Sequence, residues 1–435
     1  MWIWNCAEGG FRTKPLIEYM RAVPDPRCGR KTKHDHAEVL VCLIIGFLTG
    51  RTTIRRSLNW CWRHNRWLKS HIALENGVAS APTASRILSG LDEELFALEF
   101  MEWIGEILNT RGLHLAIDGK ALRGAMGKVK DSRTPMVMNA IDVVTGLVVA
   151  QLPIQNKECE IVAIPELLRL LDIRGCTITT DAIGTQTGIM EQILEQGGHF
   201  VLPVKRNQPQ SYEDILKYLG EMSEDMERME QERAYRPRNP ELQEKYERSY
   251  HLEKNRDRYE YRWYSVCTDN GVLVRAQKEW RFIKTVGLIR QIRIPLERDM
   301  EGNDITPTVE TFLKNGARRR PRPVRDDSAE SDLQEVGVIS DRELTADEMG
   351  EIKRAHWSIE NRLHHVLDDT FREDRSPAKK SKNNLALLRK YAYNILRIAM
   401  LSGACEGPMT EAMDTFCDDL SLIEKYVFNG IESYY

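Results

Sequence analysis

The sequence predicts an α/β protein in which an all-helical N-terminal region precedes a sheet domain, itself split by a β-rich insertion. Three observations predict it. Apolar residues recur at intervals of three and four through residues 14–105. Short β-branched runs replace that pattern after Gly112. A charged stretch with alternating segments, residues 209–340, then stands between two regions of helical pattern. The boundaries that follow are 1–108 for the helical region and 109–208 for the first part of the sheet domain. Residues 209–340 form the insertion, 341–403 the second part of the sheet domain and 404–435 a C-terminal tail.

The helical region contains "AEVLVCLIIGFLTG", "IRRSLNWCWRHN" and "DEELFALEFMEWIGEIL", and Pro24 and Pro26 break the chain before the first long helix. "LHLAID" is a strand that ends at Asp118. "PMVMNAID" and "GLVVAQLPI" are two more, joined through "VVTG" as a hairpin. "EIVAIPELLRLLDI" is helical, "CTITTDA" is a strand, and "GIMEQILEQGG" is a helix stopped at Gly197 and Gly198. "HFVLPVK" is the next strand. Three antiparallel strands followed by strands added through helices is the order of an RNase H-like fold. Within the insertion, "EMSEDMERMEQERAYRPRNPELQEKYERSY" reads as helical in parts. "YEYRWYSVCTDNGVLV" reads as a hairpin turning at Asn270 and Gly271, and "WRFIKTVGLIRQIRI" as a strand pair. Helical pattern returns at "TADEMGEIKRAHWSIENRLHHVLDDTF", opened by the capping box Thr345 to Glu348. The last apolar helix is "NLALLRKYAYNILRIAML".

Bulk composition excludes several classes. Hydrophobic residues make up 42% and charged residues 29%, as in a soluble globular protein. "MWIWNCAEGG" has neither the basic start nor the apolar run of a signal peptide. The most apolar stretch, Val39 to Gly50, is too short for a membrane span. The 9 cysteines contain no C-x-x-C and read as reduced thiols of a cytoplasmic protein. Net charge is -3, from 62 basic and 65 acidic residues, yet the basic residues cluster. Arg27 to His36, Arg51 to Lys69 and Lys314 to Arg325 are basic segments of the kind that neutralise phosphates.

The candidate chemistry starts from two strand ends. Asp118 ends the first strand and Asp181 the fourth, and neighbouring parallel strands bring such ends to one sheet edge. Two carboxylates there repel unless a cation lies between them, and oxygen ligands suit Mg²⁺ or Mn²⁺. Glu360 is the candidate third ligand. Read as one continuous helix, Ile352, Ile359, Leu363 and Val366 make an apolar stripe, with His356, Glu360 and His364 at i, i+4 and i+8 beside it. Three such carboxylates predict two divalent ions clamping an in-line displacement at phosphorus. The bland readings are a strand-end cap for Asp118, a helix N-cap for Asp181 and a surface position for Glu360. A zinc site built from His356, Glu360 and His364 is the chemical rival, but it gives the strand aspartates no role.

At these residues the chain resembles a family. "AIDGKALRGA", "TITTDAIGTQTGIMEQILEQGGHFVLPVKRNQ" and "HWSIENRLHHVLDDTFREDRS" resemble the three blocks of the ISAs-type, H-repeat-associated DDE transposases. "MRAVPDPRCGRKTKHDH" resembles that family's N-terminal associated domain, and "EKNRDRYEYRW" its insert segment. The resemblance spans most of residues 14–400. It implies metal-dependent cleavage and strand transfer at the ends of an insertion sequence in a bacterial cytoplasm, on the nucleoid when acting and with no membrane. It also implies the triad Asp118, Asp181 and Glu360, two Mg²⁺ ions with Mn²⁺ as substitute, terminal inverted repeats and target DNA as partners, and a homodimer. Lys120, Arg123, Asn361, His356 and His364 are the expected supporting residues near the triad. Related families place Tyr, Arg and Lys at positions occupied here by Lys353, His356 and Leu367, so His356 stands where an arginine would meet phosphate. Cys159, His365 and Asp369 also depart from the pattern. A catalytically silent, DNA-binding copy is the alternative these departures raise.

Further candidates lie outside the triad. Lys205, Asn207 and Gln208 follow a strand end and are read as DNA contacts, against a plain polar loop. Arg258 and Arg262 flank Glu260 on one face of an alternating strand and are read as DNA-facing in preference to a salt bridge. Trp280 is read equally as a stacking surface for an extruded base and as core. Trp357 is assigned to the core. One of the N-terminal helices is expected to read DNA, with nothing to say which.

Overall fold

The computed structural model describes residues 12–27, 32–122, 136–154, 160–255, 257–299, 301–309, 311–312, 333–376, 378 and 380–432. Two compact units emerge. The first comprises Met1–Thr177, Glu195–Gly198 and His356–Tyr435, and the second Ile178–Leu194 and His199–Ala355.

The first unit opens with helices α1 (Leu16–Ala22), α2 (His36–Leu48), α3 (Ile54–Arg63), α4 (Asn65–Leu68), α5 (Ala81–Gly90) and α6 (Glu93–Ile107). Each longer helix has its start fixed by a side chain. Asp35 caps α2, Thr53 caps α3, Ser80 caps α5 and Asp92 caps α6, each accepting from backbone N–H groups of the first turn. All 13 residues of α2 are buried, so it is the central helix of this region. Strands β1 (His114–Ala121), β2 (Met136–Asp142) and β3 (Val148–Ile154) follow and pair antiparallel. The predicted hairpin through "VVTG" joins β2 to β3, with Gly146 at φ 75° supplying the left-handed turn residue. Helix α7 (Glu160–Arg169) leads to β4 (Thr177–Thr180), whose first N–H donates to the Leu113 carbonyl just ahead of β1.

In the second unit, α8 (Thr187–Glu195) and β5 (His199–Val204) are followed by α9 (Pro209–Gln231) and the short α10 (Pro240–Gln243). Its sheet is antiparallel in the order β5, β9 (Leu333–Ser340), β8 (Thr285–Pro295), β7 (Arg258–Cys267), β6 (Tyr246–Lys254). The segment read as helical in parts holds the end of α9 and all of α10, and β6 begins in its last five residues; β7 pairs with β6 and β8, and Asn270 and Gly271 do not close the expected hairpin. Instead Asn270–Val272 is a 3-10 turn that leads into a largely exposed connection anchored by Val272 and Leu273, both inaccessible. "WRFIKTVGLIRQIRI" supplies one strand, β8, rather than two.

Helix α11 (Ala346–Ala355) ends the second unit, and the capping box holds, with Thr345 Oγ1 accepting from the Glu348 N–H. The helix predicted to run onward does not. A turn at His356 and Trp357 leads into a π-helical segment, Ile359–His364, then α12 (His365–Asp369) and a 3-10 turn, Glu373–Arg375. Helix α13 (Lys382–Leu401) is almost entirely buried. The segment read as a tail holds α14 (Met409–Asp418) and α15 (Leu420–Ile423), and the Ile431 carbonyl accepts from the Thr13 N–H. Among the described residues no helix is long and apolar enough to cross a membrane.

Candidate active site

Strand β1 and the segment that carries Glu360 meet within the first unit. Asp118 stands opposite Asn139 of β2, which stands opposite Gln151 of β3, so the three share one face of the sheet. The Asp118 Oδ1 accepts from the Gly119 N–H at 2.8 Å, and its Oδ2 lies 3.6 Å from the His364 Nδ1. Burial, with Lys120 and Lys390 nearby, pushes the His364 pKa down to about 3, so that ring is neutral at physiological pH. On the opposite face of β1, the missing side chain of Gly119 makes room for Glu160. A Cβ at Gly119 would stand 2.5 Å from the Glu160 Oε1.

Glu360 is exposed, between buried Ile359 and Leu363. The His365 N–H donates to the Glu360 carbonyl, five residues back, which is the hydrogen bond of a π-turn. The wider turn breaks the expected i, i+4, i+8 face. His356 is buried, Glu360 is exposed and His364 is turned toward Asp118. The segment is fastened from behind. Arg362 Nη1 donates to the Val143 and Val144 carbonyls at 2.9 and 3.2 Å, and the Tyr393 hydroxyl is 3.0 Å from both the Gly146 and Arg362 carbonyls. Asn361 is exposed beside Glu360.

Beside Asp118, on the same face of β1, lies a buried charged cluster that sequence reading missed. Lys120 is 5% exposed, and its Nζ donates to Asp368 Oδ1 at 2.5 Å and lies 3.6 Å from Glu373 Oε2. Arg389 Nη1 lies 3.8 Å from Glu373 Oε1. Lys390 is wholly buried and donates to Gln151 Oε1 at 2.5 Å, and burial lowers its pKa to about 8. Lys120 thus neutralises carboxylates inside the fold. The signal was present in "NLALLRKYAYNILRIAML", where Arg389 and Lys390 interrupt a helix with no other reason to carry charge.

In the second unit, Asp181 is exposed at the N-cap of the 3-10 turn Ala182–Gly184, and its side chain makes no capping hydrogen bond. The bland reading of Asp181 therefore has the position but not the bond. Asn207 Nδ2 donates to the Ala182 carbonyl at 2.7 Å and Gln208 Nε2 to the Thr185 carbonyl at 3.1 Å. These two amides tie down the loop that follows Asp181, while Lys205 is exposed. Arg262 is buried, paired with Glu260 and, at 3.1 Å, with Glu253, and Arg258 holds Glu260 at 2.7 Å. The preferred DNA-facing reading of both arginines gives way to a salt-bridge network, because helix α11 covers that face, Arg354 reaching the same Glu253. Trp280 is 3% exposed and donates to Thr187 Oγ1 at 3.1 Å, so it is core. Trp357, assigned to the core, is 47% exposed. Arg123, Cys159 and the basic segment Lys314 to Arg325 lie outside the described residues. Among the described residues no three acidic, histidine or cysteine side chains are gathered as a ready-made metal cluster.

Comparison with known proteins bears on the whole arrangement. Residues 109–395 match the model of the transposase DDE domain, and residues 17–104 that of the DDE_Tnp_1-associated domain. The H repeat-associated putative transposase YhhI of Escherichia coli (strain K12) is 29% identical over 391 residues, covering 88% of this chain and 90% of its own length. The H repeat-associated putative transposase YbfD of the same strain is 33% identical over 196 residues, covering 45% of this chain and 78% of its own length.

Proposed function

The chain belongs to the DDE transposase family, in its H-repeat-associated, ISAs-type branch, and is a DNA transposase; from that premise we propose that Asp118, Asp181 and Glu360 are its catalytic carboxylates. The observation that carries the proposal is the fastening of the Glu360 segment to β1. His364 lies against Asp118, and Asp368 of the following turn holds Lys120, two residues beyond Asp118. Asp181 joins the reading through the family resemblance, as the aspartate that follows strand β4 in "TITTDA". The fold read for the catalytic part is RNase H-like, preceded by an all-helical DNA-binding region.

The donor set suits a hard divalent cation. All three candidates are carboxylates, and the ring beside Asp118 Oδ2 is a neutral histidine rather than a competing positive charge. Asp118, Asp181 and Glu360 would hold two Mg²⁺ ions, or Mn²⁺ in their place. When bound, such ions supply Lewis-acid stabilisation of the attacking and leaving oxygens. The protein's part is positioning. The Gly119 N–H orients one Asp118 oxygen, the buried cluster beside it holds β1 in place, and Arg362 and Tyr393 fix the turn that presents Glu360. Asn207 and Gln208 fix the loop after Asp181. In the cut, a bond forms from water oxygen to phosphorus as the bond from phosphorus to the 3′ oxygen breaks, leaving a 3′-hydroxyl and a 5′-phosphate. In strand transfer that 3′-hydroxyl attacks a target phosphate and releases the target's own 3′-hydroxyl. The substrates are terminal inverted repeats and target duplex. Two ends are handled together, which calls for a homodimer acting in the bacterial cytoplasm on the nucleoid.

The test is excision from a plasmid carrying the gene's own flanking DNA with Mg²⁺, together with Mn²⁺ binding by calorimetry. Wild type should break the DNA at two inverted ends. Asp118→Asn, Asp181→Asn and Glu360→Gln should each lose cleavage and weaken Mn²⁺ binding while keeping DNA binding. Wild-type protein that binds the flanks, takes up no Mn²⁺ and makes no breaks would instead identify a silent copy.

A further inference from the structure

We infer that helix α3, with its continuation α4, is the element that grips DNA, through one stripe of unpaired cations around Asn59 and Trp62. The inference rests on the chain's being a transposase and names the surface that meets its DNA.

The two faces of α3 differ sharply. Ser57, Leu58, Trp60 and Cys61 are buried, and α2 lies so close that a Cβ at Gly46 would stand 2.1 Å from the Ser57 Cβ. The other face carries Arg55, Arg56, Asn59, Trp62 and Arg63, and Arg66 and Lys69 extend it past α4. All seven are exposed, Trp62 at 70%, which is the highest value among the exposed tryptophans. Arg55, Asn59, Trp62, Arg66 and Lys69 are spaced by four, three, four and three residues, the repeat that lines up one side of a helix.

Charge on this stripe is uncompensated. From Thr49 to Leu74 the sequence has no Asp or Glu. Among the described residues the side chains of Arg55, Arg56, Arg63, Arg66 and Lys69 take part in no ion pair or hydrogen bond. Some surface arginines elsewhere are paired, as Arg27 with Asp25, Arg174 with Asp172 and Arg238 with Glu224, and others such as Arg169 and Arg281 stand alone, but no other helix of the described residues lines up five such cations along two successive segments. An acid does approach the end of the stripe, but it is engaged. Glu424 Oε1 accepts from Trp67 Nε1 at 2.9 Å and lies 3.1 Å from His71 Nε2. A single-sign stripe left unpaired on a rigid helix fits a polyanion, and the width of the major groove admits a helix. The arginines and Lys69 would meet phosphates on either side, while Asn59 and Trp62 in the middle reach base edges, Asn toward adenine and the indole toward thymine methyl groups. Helix α2 and the five-residue turn to α3, with Gly50 at φ 76° and Thr53 as N-cap, hold the stripe outward.

Binding of the full chain is measured by fluorescence anisotropy without divalent metal. The probes are a duplex from the gene's own flank and an unrelated duplex of the same length. The variants are a triple, Arg55→Ala with Arg63→Ala and Arg66→Ala, and a double, Asn59→Ala with Trp62→Ala. Arg169→Ala, exposed on α7, is the control. The triple variant should bind both duplexes at least about tenfold more weakly. Its plot of log affinity against log salt should flatten by about 2.7, roughly 0.9 for each phosphate no longer neutralised. The double variant should lose preference for the flank, and the control should match wild type. Because every position is exposed, circular dichroism and thermal midpoint should stay unchanged. A folded triple variant with wild-type affinity and salt slope overturns the assignment of α3. Wild-type protein that shows no preference for its own flank overturns, instead, the end-recognition reading on which the assignment rests.

Discussion

Gly119 shows how much a single position next to the site can matter. Its lack of a side chain lets the buried Glu160 carboxylate sit against β1, on the face opposite Asp118. Gly119→Ala would force that carboxylate aside, and over-packing of this kind costs about 1–3 kcal/mol. Urea unfolding should show the loss, and Mn²⁺ binding should weaken because Asp118 is the next residue. Unchanged stability would mean that Glu160 moves freely. Lys390 makes a second residue-scale prediction. Burial lowers its folded pKa to about 8, from the 10.5 of an ordinary lysine. Between those values the unfolded chain binds the extra proton, so this group's contribution to stability rises with pH through that window. The shift corresponds to about 3 kcal/mol as an order of magnitude. Wild type should therefore gain more stability than Lys390→Met between about pH 8 and 10 in chemical denaturation, and equal gains would refute the buried, protonatable state. The role of Gly119 is not legible in the sequence, and for Lys390 the sequence shows only that charge interrupts an apolar helix, not which groups it meets. Alternation along a strand shows which residues share a face but not what covers it. For that reason Lys120 and Arg262 look like DNA-side cations in the sequence, although each is buried against carboxylates.

Among elements, the π-turn decides how Glu360 is presented. A continuous helix would have put His356, Glu360 and His364 on one face. The wider turn separates them and leaves Trp357 exposed. No local sequence signal marks this, because Ile359 and Leu363 keep the spacing that any α-helix would show. The fastening residues come from elsewhere in the chain, Val143 to Gly146 and Tyr393. Tyr393→Phe removes a wholly buried hydroxyl that is hydrogen-bonded to two carbonyls, which costs about 1–3 kcal/mol. The same change should reduce amide protection across residues 359–365 and slow cleavage with DNA binding intact. Full protection in the variant would show that the turn stands without the clamp. The loop after Asp181 offers a sharper contrast with the sequence reading. If Asn207 positions that loop, Asn207→Ala should slow cleavage and leave the salt dependence of DNA binding unchanged. A flatter salt dependence would return Asn207 to the role of a DNA contact. The strand order before Lys205 is readable because β-branched runs alternate there with amphipathic ones. Strand β6 is not, because its charged sequence takes its partners from β7 and from α9, as in the pairing of Arg248 with Glu227 and Glu230.

For the whole molecule, a formal net charge of -3 sits awkwardly with a DNA-binding role until the charge is located. Composition gives the sum, and the clustering of basic segments in the sequence gives the first hint that the sum misleads. What the sequence leaves open is which cluster is free to act. Among the described residues, Lys120 and Arg262 are paired internally, whereas Arg55, Arg56, Arg63, Arg66 and Lys69 of α3 and its continuation are left without ion pairs. In physiological salt an exposed charge acts over about 8 Å, so only charges bordering the bound phosphates should count. This separates local from net charge experimentally. Glu232, Glu241 and Glu244 are exposed in the second unit. Replacing all three by Gln raises the formal charge by three, from -3 to zero. Removing Arg55, Arg63 and Arg66 lowers it by three, from -3 to -6. If net charge governed affinity, the two variants would move it by similar factors in opposite directions. With a local stripe in control, the Gln variant should bind the flanking duplex within about twofold of wild type while the Arg variant loses about tenfold or more. Equal and opposite changes, measured in the same buffer, would mean that the molecule's overall field and not helix α3 holds the DNA.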